Sequence, residues 1–185
     1  MEKANQFSLG PTAHAAKRAA DMVYILHVQP HSTERDVEQI LKVYGETNPK
    51  ITKTDLIELK AASKRLYAIF ITQKTDFAVN LINELLRDYA HQPRLSAHSA
   101  TPWHLHIDSN DHAPWAEWFA ASSAFALAIL LAEKQRNVCG ICICGKPFID
   151  LGKGGGRKYC SSRCSTRERV ANHRRKRLPE MAKDL

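Results

Sequence analysis

The chain has 185 residues, 44% of them apolar, enough length to bury a core without covalent staples. Residues 1–6 offer no apolar signal core, the apolar stretch at 22–26 is short and follows Asp21, and the longest uncharged run, residues 118–132, falls below the ~18 residues that suggest a bilayer span; a soluble, cytoplasmic protein with no membrane partner is expected. The net charge of +8 is uneven, because residues 134–185 carry 14 Lys/Arg against 4 Asp/Glu and leave a net of −2 for residues 1–133.

A helix is predicted over residues 12–29, started by Thr12 and stopped by Pro30. A second spans 32–44, with Ser32 as N-cap and Gly45 as the stop. Beyond Asn48-Pro49, Leu56, Leu59, Leu66 and Phe70 recur at helical spacing. Phe77, Leu81, Leu85 and Tyr89 repeat that pattern after a short turn at 73–75. Residues 94–98 and 103–107 alternate with period two and predict an antiparallel hairpin. A long helix follows, opened by Pro114 and carrying Trp118, Ser122, Phe125 and Ile129 on one stripe; it is the expected core helix.

His104 and His106 share one face of the second strand. An H-x-H pair can bind metal, but no third or fourth ligand is identifiable, and a half-exposed strand face is the plainer reading. Trp103, Trp115 and Trp118 crowd beside these histidines, with Asp108 and His112 nearby. Pockets combine aromatic walls with few polar groups, so Trp103, His104, His106 and Trp115 mark the expected ligand pocket.

All five cysteines lie within residues 139–164. Such clustering points to metal rather than disulfides. Tetrahedral Zn²⁺ takes four thiolates, so ligands come as two short-range pairs with a longer excursion between them. Cys160 and Cys164 form the second pair, with Cys164 in the first turn of a helix whose N–H groups favour a thiolate. Cys139 opens the first pair and takes either Cys142 or Cys144 as its companion. Four thiolates close the site, so one structural Zn²⁺ is expected, and no catalytic centre.

The metal segment runs into a basic helix. Arg163, Arg167, Arg174 and Arg177 fall near one face, flanked by Arg169, Arg175 and Lys176, and a Gly-rich loop brings Arg157 and Lys158 beside them. Arginine forks suit phosphate oxygens, so nucleic acid, most simply DNA, is the expected partner. Phosphate contact would dominate, with Arg167 or Asn172 reaching base edges. One small finger binds weakly, so sequence selectivity calls for a homodimer or other assembly.

Arg136-Asn137-Val138-Cys139, Cys144-Gly145-Lys146-Pro147-Phe148-Ile149-Asp150, Arg157-Lys158-Tyr159-Cys160-Ser161, residues 164–167 and the basic tail together resemble the CGNR-type zinc finger. Upstream, the helices, the hairpin and the alanine-rich helix resemble the ABATE domain that precedes this finger in bacterial proteins described as stress-induced transcription regulators. The resemblance implies Cys139, Cys144, Cys160 and Cys164 as ligands, with Cys142 spare. It also implies a DNA-binding regulator of a stress response whose first domain is a candidate sensor of a small-molecule effector. Two stretches depart from the family. Its Cys-Gly-Asn-Arg is Cys164-Ser165-Thr166-Arg167 here, with hydroxyls available to cap the basic helix, and its Asp-Phe-Val-Asn-Thr is Asp21-Met22-Val23-Tyr24-Ile25.

The expected fold is mainly α (α+β). A multihelical domain with a small antiparallel sheet covers residues 1–133, and a treble-clef or zinc-ribbon-like module ending in a basic helix covers 134–185. The competing function is a structural zinc protein acting as a protein-interaction module. A nuclease using His173 is disfavoured, because no paired His and carboxylate set accompanies Asn172-His173.

Overall fold

The computed structural model describes residues 10–29, 31–97, 103–152 and 156–181, with side chains through residue 175. Gly10 caps helix α1 (Pro11–Val23), and Pro11 occupies its first position, where a missing N–H costs nothing. The start is therefore one residue earlier than the Thr12 expected. The helix then widens into a π turn, Tyr24–Val28, and the chain leaves helical geometry at Gln29, whose N–H donates to the Tyr24 carbonyl at 3.0 Å. Pro30, the expected stop, lies outside the described residues.

Helix α2 (Glu34–Val43) starts from Thr33, not Ser32. The Asp36 carboxylate accepts from the Thr33 N–H at 2.8 Å and from its hydroxyl at 2.7 Å, a brace that Ser32, with Arg35 three residues on, cannot form. Ser32 is buried instead. Gly45 ends the helix with φ +96°, as expected of a left-handed C-terminal residue. Helix α3 (Lys53–Ile71) uses the same device through Thr52 and Asp55, and buries Leu59, Leu66 and Phe70.

Helix α4 (Thr75–Tyr89) buries Ala78, Ile82 and Leu85. Phe77 does not belong to that face; it is 59% exposed, with the Lys74 ammonium 5.6 Å from its ring. The expected stripe began one residue too early. Strands β1 (Arg94–Ser96) and β2 (His104–His106) pair antiparallel, with Arg94 opposite His106 and Ser96 opposite His104. Residue 98 and the connection 99–102 lie outside the described residues.

Helix α5 (Trp115–Lys134) follows Pro114 and packs against α1, α3 and α4. It is long and apolar enough to cross a bilayer, with mean hydropathy 1.5, but Phe119, Ala120, Ala124 and Leu127 are buried among the other helices. The stripe of Trp118, Ser122, Phe125 and Ile129 is only partly buried and faces a cavity instead.

Strands β3 (Cys139–Ile141) and β4 (Pro147–Ile149) pair antiparallel, and helix α6 (Ser162–Met181) follows. Val138 and Ile149 join the same hydrophobic core as Met22, Leu66 and Phe119, with α1 lying against β4 and α3 against β3. The fold is thus mainly helical with two small antiparallel sheets, and the second sheet is seated on the helical body.

Candidate functional site

The β3–β4 turn is held by its own backbone. The Gly145 N–H donates to the Cys142 carbonyl at 2.8 Å and the Cys142 N–H to the Lys146 carbonyl at 2.9 Å. Gly145 has φ +81°, a conformation side chains oppose. The turn presents the Cys142 and Cys144 thiols. Cys160 and Cys164 come from the start of α6, where the Cys164 N–H donates to the Ser161 hydroxyl at 3.2 Å. Ser161 therefore caps this helix, rather than Ser165 or Thr166. Hairpin and helix start together make the treble-clef style of ligand supply.

The sulfurs of Cys142, Cys144, Cys160 and Cys164 all lie within 4.8 Å of one another. Cys144 to Cys160 is 3.6 Å and Cys160 to Cys164 is 3.7 Å. Four thiolates at 2.3 Å from a tetrahedral zinc stand about 3.8 Å apart, so the sulfurs already outline the coordination polyhedron of one structural Zn²⁺. Burial works against a Cys142 thiolate, but hydrogen bonds from the backbone and thiols of Cys144 and Cys160 bring its thiol down to about 7.

The expected ligand Cys139 is not in this cluster. It pairs with Ile149 across the hairpin and packs against the hydrophobic core, where burial pushes its thiol well up, so it stays protonated. Cys142, expected as the spare or as a substitute for Cys144, takes its place.

The surroundings brace the turn. The Asp150 carboxylate is buried and accepts from the backbone N–H of Gly152 and Arg157 at 3.1 and 3.2 Å, and pairs with the Arg136 guanidinium at 3.0 Å. The Arg157 guanidinium donates to the carbonyls of Tyr159, at 2.7 Å, and Cys160, and lies 5.6 Å from the Phe148 ring centre. Arg157, expected on the nucleic-acid surface, is exposed and also uses its guanidinium to hold the metal loop. Asn137 donates from its side chain to the carbonyls of Ile69 and Thr72 at 3.1 and 3.0 Å and accepts from the Cys139 N–H at 3.0 Å. It ties the finger to the end of α3. Lys146 meets Asp21 of α1 at 3.1 Å.

The remaining basic residues are displayed outward. Lys158, Arg163, Arg167, Arg169, Arg174 and Arg175 are exposed. Arg175 pairs with Glu168 at 2.7 Å, and Arg169 donates to the Thr166 hydroxyl at 3.2 Å; Arg163, Arg167 and Arg174 meet no acid among the described residues. The side chains of Lys176 and Arg177 lie outside the described residues.

A separate cavity of about 650 Å³ lies between α1, β2 and α5. His104, His106 and Trp115 line it as expected, whereas Trp103 does not and is 75% exposed. The strand face bearing the histidines points inward rather than toward solvent: His106 is buried, its Nδ1 is 3.1 Å from Asp108 and its Nε2 is 2.7 Å from His104 Nε2. Asp108 also pairs with Arg94 at 2.6 Å. The residue that sequence reasoning missed is Arg18. It lies on the buried side of α1 among Ala16, Ala19, Ala20 and Met22, and a lone arginine on an apolar helix face was the available signal.

No curated protein matches the chain. Residues 136–177 match the family model of the CGNR zinc finger, and the whole thiol cluster falls within them.

Proposed function

We propose that this protein is a cytoplasmic, DNA-binding transcription regulator of the bacterial stress-response type. In this reading the zinc is structural, the helical body is an ABATE-like effector domain, and no catalysis is involved. The observation that carries it is the cationic face of α6. Arg163, Arg167 and Arg174 are exposed without acidic partners among the described residues, and their spacing of four and seven residues puts them on one side of the helix. A helix docked on its own domain would have its guanidinium groups occupied. Cys164 fixes the first turn of α6 to the metal, so zinc sets the direction in which the positive face points. Phosphate oxygens are the groups that arginine forks fit best.

Binding to duplex DNA measured across a salt series tests this. Affinity should fall steeply with salt, with a log–log slope of about −0.9 per phosphate neutralised. Arg174→Gln should reduce that slope by about one. Arg175→Gln should change it less, because Glu168 already holds that guanidinium. Absence of binding at low salt would defeat the DNA reading and leave a protein-interaction module.

A further inference from the structure

Arg18 crosses from α1 into the cavity wall. It is only 8% exposed, its Nη2 donates to the Ser122 hydroxyl at 2.7 Å, and its guanidinium carbon sits 4.0 Å from the Trp118 ring centre. Ser122 in turn donates to the Trp118 carbonyl at 2.6 Å, which fixes the assembly. The Nε is sealed from water without a hydrogen-bond partner. The half-buried guanidinium groups of Arg94 and Arg136 have carboxylates at 2.6 and 3.0 Å, but none stands within ion-pair range of Arg18 among the described residues. Glu46 shares the cavity wall and acts on Arg18 from beyond that range.

Burial pulls the Arg18 guanidinium down to about 10, and a buried charge without a partner is costly. Burial, together with Arg18 and Lys17, also lowers His14, so that neighbour is neutral near pH 7. Trp115, Trp118, Phe125 and Ile129 line the same cavity only partly buried and give it aromatic and aliphatic surface. The cavity has the size of a small-molecule site.

We propose that this cavity binds a small organic carboxylate with an aromatic or aliphatic body, the carboxylate meeting the Arg18 guanidinium and the body lying against Trp118, Phe125 and Ile129. A single buried fork matches one carboxylate. The acids Glu46, Asp108 and Asp111 on the same wall disfavour a multiply charged anion such as a phosphate ester, and Arg18 repels a cation from the tryptophans. This inference gives a ligand class to the effector-binding part of the proposed function.

Calorimetric titration of the zinc-loaded full chain with benzoate, octanoate and 2-naphthoate, and with uncharged 2-naphthamide, tests it. At least one of the acids should bind one per chain, and 2-naphthamide should bind about thirtyfold more weakly than 2-naphthoate. Arg18→Met should lower carboxylate affinity by a similar factor, leave the amide unaffected, and melt at or above the wild-type temperature, because it removes an uncompensated buried charge. A purely structural Arg18 would instead make that variant melt earlier. Ile129→Trp, which fills the cavity and keeps the guanidinium, should weaken acid and amide alike. Equal affinity for acid and amide, undiminished acid binding by Arg18→Met, or no heat with any acid at about 1 mM would overturn the proposal. DNA binding by Arg18→Met, measured separately, keeps the two readings distinct, since that substitution leaves α6 untouched.

Discussion

Cys139 and Ile141 occupy alternate positions of β3 and pack against the core, and the two-residue period of a strand turns Gly140 and Cys142 to the other side. Gly140 lies opposite Phe148 there; a Cβ at that position would come within 2.7 Å of the ring. The spacing of the cysteines made zinc legible, but spacing alone left the phase of the strand undetermined, and the apolar Ile141 two residues after Cys139 carried that information. Gly145 supplies the left-handed corner between Cys144 and Lys146. Gly145→Ala should cost about 1–2 kcal/mol and speed the loss of zinc to a competing chelator, followed by the chelator's absorbance. Charge alone does not show that the Arg157 fork closes on the carbonyls of Tyr159 and Cys160; only the fold does.

The helices form where capping and periodicity place them. Thr52 accepts from the Asp55 N–H at 3.1 Å while Asp55 takes the Thr52 N–H at 2.8 Å. Thr52→Ala should lower global stability by about 1 kcal/mol in denaturant titration. The seam between body and finger depends on Asn137, whose amide satisfies two carbonyls at the end of α3. Asn137→Ala should destabilise by about 1–3 kcal/mol, and Asn137→Asp should not rescue, because a carboxylate cannot donate to those carbonyls. Number, order and approximate length of the helices were legible in the sequence. The exact caps were not, since Ser32 is the better cap type and the choice of Thr33 rests on Asp36 three residues after it. The face of α4 was not legible, because Phe77 is apolar yet lies one position off the buried row. On α5, apolar residues all round the helix hid which stripe faces the core and which lines the cavity.

Across the whole molecule, α1 carries both Arg18, in the cavity, and Asp21, which accepts from the Tyr44 hydroxyl at 2.6 Å and pairs with Lys146 beside the metal turn. One rigid helix therefore touches the proposed effector pocket and the finger. Because Val138 and Ile149 belong to the common core, chelation of zinc at neutral pH should leave most helical circular dichroism intact while abolishing the proposed DNA binding, the loss being confined to the metal turn and α6. Acidification should act the same way, since the thiolates must be deprotonated to hold the ion and affinity falls as pH falls. The metal itself gives the most direct test. In native mass spectrometry of the intact protein, one zinc per chain is expected for the wild type and for Cys139→Ala, and none for Cys142→Ala. Zinc kept by Cys142→Ala and lost from Cys139→Ala would contradict the centre described above.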